Sequence, residues 1–240
     1  MWDASFLLAR WLHHHGCEVG SGPTSATAFV PHRLCNGFPN SSAGLRGCQE
    51  QSVLELGSGT GMLGLYAAQL GAAVVLTELG RTLPVTKRNV AWNGPALTAA
   101  AGRGGSATVS GLDWLDEGRR LPTVPSPSKC WDLVVGSDIL YDGRCYEALA
   151  SVVHEAAAVG RGGPAAVGQP STRVVLSWSV SPNASLLNRF WATVQKKGFA
   201  IEFATRQTID ALLGEAGRAL YDKHADGGDE DVSLAVLRLI

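Results

Sequence analysis

Glycines, acids and a hydroxyl are spaced along one stretch of this chain so that they could surround a small polar ligand. From Ser52 to Glu78 it reads Ser-Val-Leu-Glu-Leu-Gly-Ser-Gly-Thr-Gly-Met-Leu-Gly-Leu-Tyr-Ala-Ala-Gln-Leu-Gly-Ala-Ala-Val-Val-Leu-Thr-Glu. Gly57, Gly59 and Gly61 let backbone approach a ligand that any Cβ would hold off, and a helix start behind them offers free N–H groups. Glu55, two residues before Gly57, suits a cationic or amino-bearing ligand better than a diphosphate. An adenosine-sized group fits such a place. A dinucleotide site wants G-x-G-x-x-G; counted from Gly57, the third glycine comes one residue early, at Gly61, and position 62 is Met.

Elements must hold these residues in place. Val53 to Leu56 reads as a buried strand, Met62 to Leu70 as a helix stopped by Gly71, and Val74 to Thr77 as a second strand ending in Glu78. Leu83 to Trp92 reads as a helix with Pro84 in its first turn and Gly94 closing it. Further strands are expected at Ala107 to Leu112, Trp131 to Gly136 and Arg173 to Trp178, with helices at Tyr146–Val159 and Ala184–Lys197. Phe199 to Ala204 and Val232 to Leu239 read as a final antiparallel pair, separated by a helical insert near Ile209–Tyr221. Alternating strands and helices imply a parallel sheet with its ligand beyond the strands' C-terminal ends. There the glycine loop, Glu78, Asp113-Trp114 and Ser137-Asp138 each follow one of the first four strands.

Composition narrows the class. The 240 residues, 45% hydrophobic and with net charge −1, suit one α/β domain of 1–240 with Gly/Pro-rich insertions near 16–51, 95–106, 116–129 and 160–171. Scattered Lys and Arg give no basic stripe for nucleic acid, and no apolar run is long enough to span a membrane. The expectation is a soluble, intracellular monomer, cytoplasmic or also nuclear. The helix expected at Trp2–Leu12 starts abruptly, so residues upstream are expected to be missing. Five cysteines (17, 35, 48, 130 and 145) without a C-x-x-C pair are expected as free thiols. Consecutive histidines at 13, 14 and 15 cannot converge on one metal from a helix. Ser177-Trp178-Ser179 lacks the glycines of a nucleophile elbow, which disfavours a hydrolase.

Glu-x-Gly-x-Gly-x-Gly resembles motif I of class I S-adenosylmethionine-dependent methyltransferases. With Trp2-Asp3, Leu76-Thr-Glu-Leu79, Lys87-Arg-Asn-Val-Ala-Trp-Asn93, Leu112-Asp-Trp114 and Asp132-Leu-Val-Val-Gly-Ser-Asp-Ile-Leu-Tyr141, the chain resembles methyltransferase family 16, a seven-β-strand group of mostly protein-lysine methyltransferases. The resemblance implies a Rossmann-like fold with a seven-stranded, mostly parallel sheet and an antiparallel C-terminal strand. It matches Trp2, Gly57, Ser58, Gly59, Glu78, Trp114 and Ser137 to cofactor-contacting positions, and Asp138 with Tyr141 to the transfer site. Glu78 stands where Asp is commoner, and the family's N-terminal strand is absent.

The residue types suit those roles. Glu78 can accept both ribose hydroxyls, Trp114 can face adenine, and Asp113 can accept from its amino group. Asp138 can hold an amine by hydrogen bond and Tyr141 can wall its path. The structural alternatives are that Trp114 and Tyr141 merely pack and that Asp138 caps a turn. Ile139-Leu140 replaces the paired prolines of exocyclic-amine methyltransferases on nucleic acid. The expectation is an S-adenosylmethionine-dependent enzyme acting on a protein, most often at lysine. A small-molecule methyltransferase and a catalytically silent module of the same fold remain as alternatives.

Overall fold

The computed structural model describes residues 3–15, 51–99, 105–125, 130–159, 172–179, 184–212 and 233–239. Seven strands make one sheet: β1 (Ser52–Leu56), β2 (Ala73–Glu78), β3 (Ser106–Gly111), β4 (Leu133–Ser137), β5 (Arg173–Trp178), β6 (Phe199–Phe203) and β7 (Ser233–Leu239). Five longer helices, α1 (Asp3–His15), α2 (Met62–Gln69), α3 (Leu83–Ala99), α4 (Tyr146–Ala158) and α5 (Ala184–Lys196), pack around it. The order across the sheet is β3-β2-β1-β4-β5-β7-β6. Strands β1 to β5 pair in parallel, whereas β7 runs antiparallel between β5 and β6.

Alternation along the central strands builds two cores. Val53, Leu133, Val135 and Val175 pack with α1 and α2, whereas Leu54, Leu56, Val134, Val174 and Leu176 pack with α4 and α5. These strands are buried on both sides, which is why their sequences are nearly continuous apolar runs. Gln51 and Ser52 lead into β1, and Ser52 is tied to β4: its N–H and hydroxyl both donate to Asp132 Oδ2, at 2.7 and 2.8 Å. The chain turns from β1 toward β2 on one side and toward β4 on the other. The ligand crevice of a doubly wound sheet lies at this reversal.

One expected boundary is wrong. Helix α3 does not close at Gly94 but continues through Gly94 and Pro95 to Ala99. A glycine ends a helix by adopting a left-handed conformation, and Gly94 is not among the described glycines with positive φ. Asn93 also donates its side-chain amide to Asn89 O at 2.8 Å, supporting the last turns. Residues 206–212 are helical, covering the start of the expected insert. The other expected spacers fall wholly or partly outside the described residues, as does Trp2. His13, His14 and His15 lie in α1, and no cluster of potential metal ligands occurs among the described residues. Cys130 and Cys145 carry thiols rather than a disulfide. No helix among the described residues is long and apolar enough to cross a membrane.

Candidate active site

Tight backbone turns bring the ends of the first four strands together. After Leu56 the chain passes through three residues of positive φ, Gly57 (63°), Gly59 (54°) and Gly61 (82°), before α2 begins. Ser58 N–H donates to Thr77 O at 2.9 Å and Gly61 N–H to Ser58 O at 2.7 Å, which folds the loop over the end of β2. Glu78 then clamps it: Oε2 accepts from Gly59 N–H at 2.6 Å while Oε1 accepts from Leu79 N–H at 2.7 Å. The loop's carbonyls are held from α3, where the Thr86 hydroxyl donates to Gly59 O at 2.6 Å and the Asn89 amide to Thr60 O at 2.9 Å.

The loop presents an open surface. A Cβ added at Gly59 would meet nothing within 4 Å among the described residues, so none of them crowds that position. Ser58 Oγ is buried, with no hydrogen-bond partner among the described residues. A Cβ at Gly57 would come within 2.8 Å of Ile139 Cγ2 and 3.5 Å of the Trp114 ring, so the loop, the turn after β3 and the turn after β4 share one wall. Trp114 is half-buried there. Asp113 is exposed and turns Oδ1 back to its own segment, accepting from Leu115 N–H at 3.0 Å.

Glu55 lies beneath this surface. Strand parity puts it on the same face as Val53, under α2, where it is 3% exposed and Oε2 accepts from Gly64 N–H at 3.0 Å. Burial pushes its carboxyl up to about 8, opposed by the Gly64 bond and reinforced by the nearby charge of Glu78. Gly64 makes the room: a Cβ there would collide with Glu55 Oε2 and with Leu76. Gly64 went unremarked in the sequence, yet its signal was present. Counted from Gly59, the run Gly59-Thr60-Gly61-Met62-Leu63-Gly64 is G-x-G-x-x-G, and Gly64 provides the close helix–strand packing of that pattern's third glycine. Spacing alone therefore does not separate this loop from a dinucleotide loop.

The turn after β4 is strained at one residue. Asp138 has φ 54°, and among the described residues it is the one non-glycine with positive φ. Its N–H donates to Ser177 O, and Oδ1 accepts from both the N–H and the hydroxyl of Ser179, each at 2.9 Å. Oδ2 is buried without a partner among the described residues. Ser137, just before it, shares a 2.8 Å hydrogen bond with Ser5 of α1, and the Ser177 hydroxyl donates to Ala4 O at 2.8 Å. Helix α1 thereby closes the end of β4 and β5. Tyr141 stands 68% exposed at the outer end of the turn, while Ile139 and Leu140 are buried. Thr86, Asn89 and Ser179 are the positioning side chains that sequence reasoning missed; Asn89 lay within a quoted motif, but nothing in one sequence paired it with a loop residue 29 positions earlier.

The profile of a family described as lysine methyltransferase matches residues 1–160. The chain is 38% identical over 97 residues to protein N-lysine methyltransferase METTL21A of Danio rerio, covering 40% of each protein. It is 35% identical over 108 residues to EEF1A lysine methyltransferase 3 of Mus musculus, covering 45% of this chain and 40% of that protein. The matched stretch thus spans 40% of the length of these curated relatives. Among solved structures, it resembles the glycopeptide N-methyltransferase MtfA complexed with sinefungin at TM-score 0.52 and 15% identity, covering 79% of this chain and 81% of that one, which is a likeness of fold. With 160 of its 240 residues inside the matched profile, the chain belongs to methyltransferase family 16.

Proposed function

We propose that the protein transfers a methyl group from S-adenosylmethionine to a lysine side chain of another protein. The observation that carries this reading is Asp138, a residue strained into a left-handed conformation whose Oδ2, at the end of β4, is buried and has no hydrogen-bond partner among the described residues. Strain of this kind persists where the surroundings over-determine it, and it clusters at functional sites. An unpaired buried acceptor is costly until a donor arrives, and an amine is such a donor.

The loop fits an adenosyl group. Ser58 Oγ offers an unused hydrogen-bonding group, and the open space at Gly59 is what close approach of a ligand needs. Glu78 would hold the ribose hydroxyls, Trp114 would cover adenine against Gly57, and Asp113 would accept from the adenine amino group through the oxygen its turn leaves over. Gly57, Gly61 and Ser137 would line the same crevice, with Trp2 expected beside them. Glu55 acts from below, fixing α2 against the loop through Gly64. When bound, S-adenosylmethionine supplies a methyl group on a sulfonium, which leaves as a neutral thioether.

The chain's remaining task is to present the amine. Displacement needs a neutral nitrogen, so the site must accept the ammonium's departing proton or receive the amine already deprotonated. Asp138 Oδ2 can take one amine N–H while Ser179 fixes Oδ1, which aims the nitrogen lone pair away from the carboxylate. Tyr141 borders the approach. Fractionated cell extract incubated with tritium-labelled S-adenosylmethionine, followed by mass spectrometry, tests the reading. Label on a lysine of a polypeptide is expected with the wild-type protein and should accumulate about a hundredfold more slowly with Asp138→Asn. Label confined to nucleic acid or small molecules would refute it.

A further inference from the structure

Beside the Asp138 turn lies a cleft whose lining includes none of the residues assigned to the cofactor. It has a volume of about 640 Å³ and is walled on one side by Tyr141 and the Asp142–Glu147 segment, on the other by Leu186, Arg189 and Thr193 of α5. Gly143 forms part of its floor, since a Cβ there would touch the Leu186 side chain at 3.5 Å. The volume exceeds that of one side chain and falls within the usual range of ligand sites. Tyr141 belongs both to this cleft and to the turn carrying Asp138, so a segment seated here continues toward the proposed transfer site.

Charge decides what the cleft can take. The Arg144 guanidinium is occupied by Asp142, with contacts at 2.7 to 3.1 Å, and this bond holds the Asp142 carboxyl down at about 2. Glu147 is paired with Lys197 at 3.6 Å. Arg189 is exposed, and among the described residues it makes no ion pair. Thr193 stands four residues further along α5, on the same helix face, with its hydroxyl able to donate. A guanidinium and a hydroxyl so placed suit a carboxylate, and Arg binds carboxylates through two parallel N–H donors. The same cation repels a neighbouring Lys or Arg.

We propose that this cleft seats the substrate polypeptide beside its target lysine, with Arg189 and Thr193 receiving an Asp or Glu side chain of that segment. The proposal rests on the protein-methylation reading and adds a preference for acidic flanks. Arg189 is exposed and lies outside the glycine loop, so its replacement leaves both the fold and the cofactor site intact.

Fluorescein-labelled, lysine-centred peptides flanked by Glu, Ala or Lys supply the probe. Anisotropy measures their binding to the S-adenosylhomocysteine-loaded protein, and tritium transfer measures turnover. Glu-flanked peptides should bind about tenfold tighter than Ala-flanked ones, with the advantage shrinking as salt rises. Arg189→Ala should erase that advantage with an unchanged affinity for S-adenosylhomocysteine, and Arg189→Glu should favour Lys-flanked peptides. No peptide binding, no acidic preference in the wild-type protein, or a preference that survives Arg189→Ala would each overturn the proposal. An Arg189-dependent acidic preference without methyl transfer to any peptide or extract protein would uphold the acid seat and sink the methylation reading instead.

Discussion

Replacing Glu55 by Gln should make the protein's stability respond differently to pH. The carboxyl is 3% exposed under α2, and burial raises its pKa from an ordinary value of 4.5 to about 8. Below about pH 4.5 both folded and unfolded chains hold the proton, so no penalty exists. Between there and about pH 8 the unfolded chain releases the proton while the folded chain keeps it, and stability falls as pH rises, by about 1.4 kcal/mol per pH unit. Across the full window the loss is about 5 kcal/mol, comparable to the whole stability of a small domain. Gln cannot titrate, and its amide oxygen can still accept from Gly64 N–H. Urea denaturation of the two proteins from about pH 5 to about pH 8 should therefore show the variant gaining on the wild type by about 1.4 kcal/mol per unit. A stability difference that does not change with pH would mean that Glu55 ionises normally, and the account of a neutral seat beneath the glycine loop would fail.

Three further perturbations probe the crevice. Gly59→Val should abolish binding of S-adenosylhomocysteine in calorimetry while the protein stays folded, because its Cβ meets no protein atom and the cost is confined to a φ of 54°; retained affinity would remove Gly59 from the site. Glu78→Ala and Trp114→Ala should each weaken that affinity by about 1–3 kcal/mol, and an unchanged dissociation constant for either soluble variant would refute its role. Asp138→Asn keeps an acceptor for Ser179 but places an N–H donor where the unpaired Oδ2 stood, so turnover should fall about a hundredfold, about 2.7 kcal/mol in the barrier, with little change in cofactor affinity. Near-full activity on the identified substrate would return Asp138 to a purely structural role.

Much of this architecture was legible because it is written in local periodicity. The apolar run at Arg173 to Trp178 and the helix stop at Gly71 needed no partner to be recognised, and the described strands fall within two residues of their expected ends. The placement of β7 between β5 and β6 was not legible, since neither strand's pattern names its neighbour. Gly94 misled because glycine stops a helix only when its φ turns positive, and that depends on the residues after it. Glu55 was placed by type rather than by parity: counting alternate positions from Val53 puts its side chain under α2 and not on the ligand face.

The residues that hold the site explain why the two halves of the reaction should separate under mutation. The glycine loop is fixed by Glu78 at the end of β2 and by Thr86 and Asn89 on α3. Asp138 is fixed by Ser179 beyond β5, and α1 fastens the neighbouring Ser137 and Ser177 through Ser5 and Ala4. Among the described residues the two sets share no side-chain hydrogen bond, and they touch where Ile139 and Trp114 close on Gly57. A change at Thr86 should therefore loosen cofactor binding without altering how the amine is aimed, and a change at Ser179 should do the reverse. The wall at Gly57 is a place where a single substitution should disturb both, since a side chain there displaces Ile139 from the turn that presents Asp138.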